Sequence, residues 1–96
     1  MVRHVVLFKF KDETDAAARE AFVHSLRALQ TEVPEVRRLQ VGLNFAEAAR
    51  AHDVALIVDL DDRAALAAYA DHPKHIPVKQ RAAEICAAMP VVDYEV

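Results

Sequence analysis

Nine residues near the start, Val2-Arg3-His4-Val5-Val6-Leu7-Phe8-Lys9-Phe10, constrain the fold more than any other stretch. Their β-branched and aromatic content reads as a strand. A strand sends alternate side chains to opposite faces. The even set is Val2, His4, Val6, Phe8 and Phe10, and the odd set is Arg3, Val5, Leu7 and Lys9. Both sets are apolar in the middle, so both faces need cover. His4 shares the more apolar, even face with Val6 and Phe8.

The rest of the chain follows from periodicity and punctuation. Thr14 or Asp15 can cap a helix, and Ala18, Phe22, Leu26, Leu29 and Val33 recur at spacings of 4, 4, 3 and 4, one helical stripe. Pro34 disfavours helical backbone at Val33 and ends that helix. A second strand is expected from Val36 to Phe45, with Leu39, Val41, Leu43 and Phe45 on one face. Residues Asp53 to Leu60 alternate as a third strand. Asp61-Asp62 then starts a helix from Arg63 to Ala70, with Leu66, Tyr69 and Ala70 inward, and His72-Pro73 stops it. Pro77 suits the first turn of another helix, expected to bury Val78, Ala82, Ile85, Cys86 and Met89 before Pro90 ends it. Val91 to Val96 reads as the last strand.

The order β-α-β-β-α-(α)-β is that of an α+β, ferredoxin-like fold, an antiparallel sheet with helices on one face. Residues 1–96 read as one domain. Val5, Leu7 and Ile57 fall on the face without helices, where a second copy of the chain is expected to lie. Composition agrees. Hydrophobic residues make up 54%, but aromatics only 6% and Ala numbers 19, so a small Val, Leu and Ala core gains from further burial against a partner.

Composition also excludes functions. A net charge of −3 argues against nucleic-acid or anionic-membrane binding, which need a basic face. No apolar run approaches the ~20 residues of a membrane span. One Cys permits no internal disulfide, and one Gly, Gly42, permits no phosphate-cradling Gly-rich loop. Met-Val-Arg-His leads straight into a strand without signal-peptide character, so a cytoplasmic location is expected.

The densest polar cluster is Tyr69-Ala70-Asp71-His72-Pro73-Lys74-His75. A His side chain, with an ordinary pKa of about 6.5, suits proton transfer near neutrality. A phenol donates a hydrogen bond at that pH and can steady a carbonyl or enolate oxygen. Together they suit removal of a proton α to a carbonyl. The plain alternative is a core Tyr with its hydroxyl at the rim, followed by a turn His. His72-x-x-His75 has metal-compatible spacing, but Pro73 intervenes and no ligand pair faces it, so no metal is expected. His24 and His52 read as solvated, and Cys86 as a buried small hydrophobe.

The opening His4-Val-Val-Leu-Phe-Lys-Phe-Lys-Asp-Glu-Thr, the Val33-Pro34-Glu35-Val36 turn, Gly42, Tyr69-x-x-His72-Pro73-x-His75 and the terminal Val92-Asp93-Tyr94 resemble the stress-responsive A/B-barrel domain family. The resemblance spans essentially the whole chain. It implies a homodimer in which two sheets meet as a β-barrel. The family includes plant polyketide cyclases of the olivetolic acid cyclase type, which use no cofactor and close a poly-β-keto chain by aldol condensation. By that resemblance His75 is the catalytic His, Tyr69 the catalytic Tyr, and His4 a polar group of the pocket. Val6, Phe8, Phe22, Leu26, Leu56, Val58, Leu66 and Val78 line an apolar cavity that takes a small apolar or carbonyl-containing ligand. The walls depart from the cyclases: Cys86 and Ala70 replace larger side chains and Lys79 a small one. The substrate is therefore not carried over.

The expected function is a cofactor-independent cyclase- or lyase-like reaction on a small carbonyl compound. A non-catalytic ligand-binding or stress-response dimer, or a cofactor-free monooxygenase, remains as an alternative. Without a metal ligand set, treatment with a chelator should leave the melting temperature unchanged. A large drop in differential scanning calorimetry would show that the His72–His75 segment holds a metal.

Overall fold

The computed structural model describes residues 1–96. Its elements are β1 (Val2–Phe10), α1 (Ala16–Glu32), β2 (Arg38–Leu43), β3 (Val54–Leu60), α2 (Arg63–Ala70), α3 (Ile76–Ile85), β4 (Cys86–Ala88) and β5 (Val91–Glu95). The sheet order is β2-β3-β1-β4, with β5 also paired to β1, and all pairings are antiparallel. β4 and β5 thus form one edge, interrupted at Met89-Pro90. Proline is tolerated there because an edge strand can spare a donor. This is the ferredoxin-like arrangement.

Register fixes the two faces. His4 lies opposite Val58 on one side and Asp93 on the other, and Val6 lies opposite Leu56 and Val91. That inner row packs under α1, whose Phe22, Val23, Leu26 and Leu29 are buried. Asp15 caps α1 by accepting from the Ala18 amide at 2.8 Å, and Asp62 caps α2 through Ala65 at 2.8 Å. Phe8 and Phe10 meet the Phe22 ring edge-to-face at 5.1 and 6.0 Å, an arrangement aromatic quadrupoles favour.

Two elements differ from the sequence reading. The second strand begins at Arg38 and ends at Leu43, and Phe45 is 97% exposed. The Asn44 side chain accepts from the Ala46 amide and donates to the Ala46 carbonyl, both at 2.9 Å, and this local turn competes with strand extension. The last helix stops at Ile85, four residues before Met89. Thr14 Oγ1 and the Lys11 amide both donate to the Ile85 carbonyl at 2.9 Å, satisfying that helix end. Cys86 and Ala88 then pair with Phe10 and Lys9, so strand pairing overrides the helix preference of the Ala residues. Met89 is consequently not an inward helical residue.

The outer face carries Val5 and Leu7 of β1, Ile57 of β3 and Val92 of β5, with no helix over it. Leu7 is 38% and Val92 59% exposed. Arg3 crosses this face and donates to Asp59 through Nε (2.7 Å) and Nη2 (3.1 Å). That bidentate pair holds the Asp59 carboxyl below its usual range. No helix is long and apolar enough to cross a membrane. Light scattering at micromolar concentration should give about twice the protomer mass, and a Val5→Asp variant should shift the population toward monomer. A monomeric wild-type chain would remove the need for cover on the outer face.

Candidate functional site

The turn from α2 to α3 builds the site. The His72 amide donates to the Tyr69 carbonyl at 3.2 Å, and the His75 and Ile76 amides donate to the His72 carbonyl at 2.9 and 3.1 Å. His72 Nδ1 accepts from the Lys74 amide at 3.1 Å, so its ring belongs to the turn. The chain doubles back, and the His75 ring stacks on the Tyr69 ring with centroids 4.2 Å apart and planes at 25°.

His75 Nδ1 donates to the Tyr69 carbonyl at 3.0 Å. A carbonyl can only accept, so Nδ1 carries the proton and Nε2 keeps its lone pair. Burial pushes the His75 pKa below its ordinary value. The bond to Tyr69 opposes this, while Lys79 and His4 add to the lowering. His75 is therefore neutral at pH 7 and basic at Nε2.

Tyr69 is 1% exposed, and its hydroxyl is the buried side-chain polar atom without a hydrogen-bond partner. Burial pushes the phenol well above its ordinary pKa, so it remains a donor at neutral pH. An unpaired buried hydroxyl costs about 1–3 kcal/mol. On the other side, the His4 ring meets Tyr69 edge-on, with centroids 5.8 Å apart. His4 Nδ1 bonds Asp93 Oδ1 at 2.5 Å. The carboxylate can only accept, so His4 Nδ1 is the donor and Nε2 faces away from Asp93.

His4, Tyr69 and His75 all line one cavity of about 270 Å³ between the sheet and the helices. Typical small-molecule pockets are about 300–1,000 Å³, so this one suits a small ligand. Of the wall residues expected from the sequence, Val6, Phe8, Phe22, Leu26, Leu56, Leu66 and Val78 line it. Val58 does not. It is fully buried beside His4, its partner across the β1–β3 pairing, and contributes to the core instead. Ala70, Lys79, Ala82, Met89 and Val91 complete the lining. Cys86 is buried outside the cavity.

Sequence reasoning missed Asp93 as the partner of His4. The two are 89 positions apart, and only the β1–β5 register brings them together. It also missed Met89 and Val91 as part of the lining, because the expected helix ran on through Met89 where the chain instead turns to strand at Cys86.

Known proteins place the chain. An uncharacterised protein of Streptomyces coelicolor, SCO4036, is 35% identical over 77 residues, covering 78% of this chain and 79% of its own. A dimeric ferredoxin-like protein of unknown function from Thermobifida fusca superposes with a TM-score of 0.89 at 28% identity, covering 99% of this chain and 90% of its own. That likeness supports self-association. The hydroxynitrile lyase of Passiflora edulis shares the fold, with a TM-score of 0.90 at 17% identity over 99% of this chain and 92% of its own. The profile described as the Stress responsive A/B Barrel Domain matches residues 2–96, and the chain belongs to that family.

Proposed function

We propose that the cavity binds a small carbonyl compound and that His75 removes a proton from the carbon α to the carbonyl, without a cofactor. The observation that carries this reading is the stacked pair. A neutral His with a free Nε2 lies against a buried phenol whose hydroxyl has no partner, in one apolar cavity. Nε2 takes the α proton, and the C–H electron pair becomes the new carbon–carbon π bond. The carbonyl π pair moves onto oxygen, where the Tyr69 hydroxyl donates a hydrogen bond. The enolate carbon can then attack a second carbonyl of the same molecule, whose π pair moves onto its own oxygen and takes the proton back from His75 Nε2, the step of an aldol cyclase. The reverse bond cleavage is the corresponding lyase step.

His4 is a supporting polar group, with its tautomer held by Asp93. A lyase on the same fold, in Passiflora edulis, supports the compatibility of this scaffold with carbonyl chemistry. The apolar walls supply affinity and the few polar groups supply orientation.

The test is α-proton exchange of small ketones in D2O, followed by NMR. His75→Ala should lower exchange by about 10²–10⁴-fold and Tyr69→Phe by about 10²–10³-fold. Tyr69→Phe should leave the melting temperature little changed, because the ring stays buried and no protein hydrogen bond to the hydroxyl is lost. Exchange at the uncatalysed rate with bound ketone would instead support a ligand-binding dimer.

The pH profile should follow the two environments. The His75 pKa is lowered, so kcat/KM should fall on acidification only below the ordinary His value of about 6.5. The phenol pKa is raised, so no alkaline loss should occur up to about pH 10. An acid limb above pH 7 would exclude His75 as the base.

A further inference from the structure

We infer that Lys79 selects for ligands bearing an anionic group at the end remote from the reacting carbonyl, so that the cavity takes short keto acids. This rests on the carbonyl-binding reading of the same site. The cavity has 15 lining residues, of which 12 are hydrophobic and the others are His4, His75 and Lys79. With His75 neutral, Lys79 is the lining residue with a permanent positive charge.

Its position is built. The Lys79 amide donates to the His75 carbonyl at 3.0 Å, so Lys79 follows the base by one helical turn. Residues so spaced share a helix face, with Cβ atoms about 5–6 Å apart. Lys79 Nζ donates to the Ala70 carbonyl at 2.7 Å, which tethers the ammonium to the end of α2 beside Tyr69. A helix C-terminus carries partial negative charge and favours a cation there. The Ala70 bond uses one of the ammonium's three donors. None of the ion pairs in the structure includes Lys79. The ammonium therefore keeps donors for an incoming anion at the rim, while its methylene stem extends the apolar wall.

Size sets the other limit. A cavity of about 270 Å³ has no room for a long chain between the reacting carbonyl and the rim. A carbonyl near Tyr69 and a carboxylate near Lys79 are then joined by a few carbons. The methyl ester of the same acid is one methyl group larger and keeps an acceptor oxygen, but it forfeits the charge attraction to the ammonium.

The probes are 4-oxopentanoate and 6-oxoheptanoate with their methyl esters. Affinity is measured by NMR titration, and α-proton exchange in D2O is measured in parallel. The wild-type protein should bind at least one acid about fivefold more tightly than its ester, a preference that weakens with salt. Lys79→Gln should bring the ratio to about one, and Lys79→Arg should retain it. Equal binding of acid and ester by the wild type overturns the inference, as does a preference that survives Lys79→Gln. In both cases His75-dependent exchange of the ester would leave the carbonyl reading standing. If no probe binds or exchanges, both fall together.

Discussion

The central position of β1 is the constraint on which the rest depends. It is hydrogen-bonded to β3 on one side and to β4 and β5 on the other. A strand paired on both edges has its register set twice. A slip of one residue would exchange its faces. His4, Val6 and Phe8 would move to the outer face, and Arg3, Val5 and Leu7 into the cavity. The register of β1 therefore keeps the cavity wall and the face left for self-association apart.

On the inner face, one structural choice sets the environment of both polar side chains of the candidate site. The α2–α3 turn stacks His75 on Tyr69 and spends the Tyr69 carbonyl on His75 Nδ1. Burial then acts on the two side chains in opposite senses. It disfavours the cationic imidazolium and the anionic phenolate alike, lowering one pKa and raising the other. The result at neutral pH is a base beside a hydrogen-bond donor. Pairs whose environments separate their protonation behaviour are how one site supplies both proton acceptor and oxygen stabiliser.

Much of this was legible because it is local. Strand parity places His4 with Val6 and Phe8, the 4, 4, 3 spacing names Phe22, Leu26 and Leu29, and Tyr69-x-x-His72-Pro73-x-His75 names the turn. What was not legible depends on pairing across the sheet. Asp93 meets His4 only through the β1–β5 register. Cys86–Ala88 reads as helix by composition and becomes strand because Phe10 and Lys9 offer it partners. Val58 has the inward parity of Leu56, yet it is one inward-facing pair further along β3, beside His4, and does not line the cavity. Parity gives the face but not the distance along it.

The unpaired Tyr69 hydroxyl shows how such a site is sustained. A buried hydroxyl left without any partner costs about 1–3 kcal/mol, a substantial share of the ~5–15 kcal/mol by which domains are stable. The Tyr69 donor is therefore tolerated where it borders a cavity that can take a partner. Phenylalanine would bury the same ring without that cost. The offset comes from nearby: Leu26, Leu29 and Leu56 are all at most 2% exposed, and full burial of each contributes about 1.5–3 kcal/mol. The same side chains differ in what they border, since Leu26 and Leu56 reach the cavity and Leu29 does not. The core and the pocket are thus one continuous packing. The apolar residues that shape the cavity also stabilise the fold enough to hold an unpaired donor inside it. A polar replacement at Leu26 or Leu56 would therefore weaken the fold and reshape the cavity together, whereas Lys79, exposed at the rim, can be replaced without entering the core.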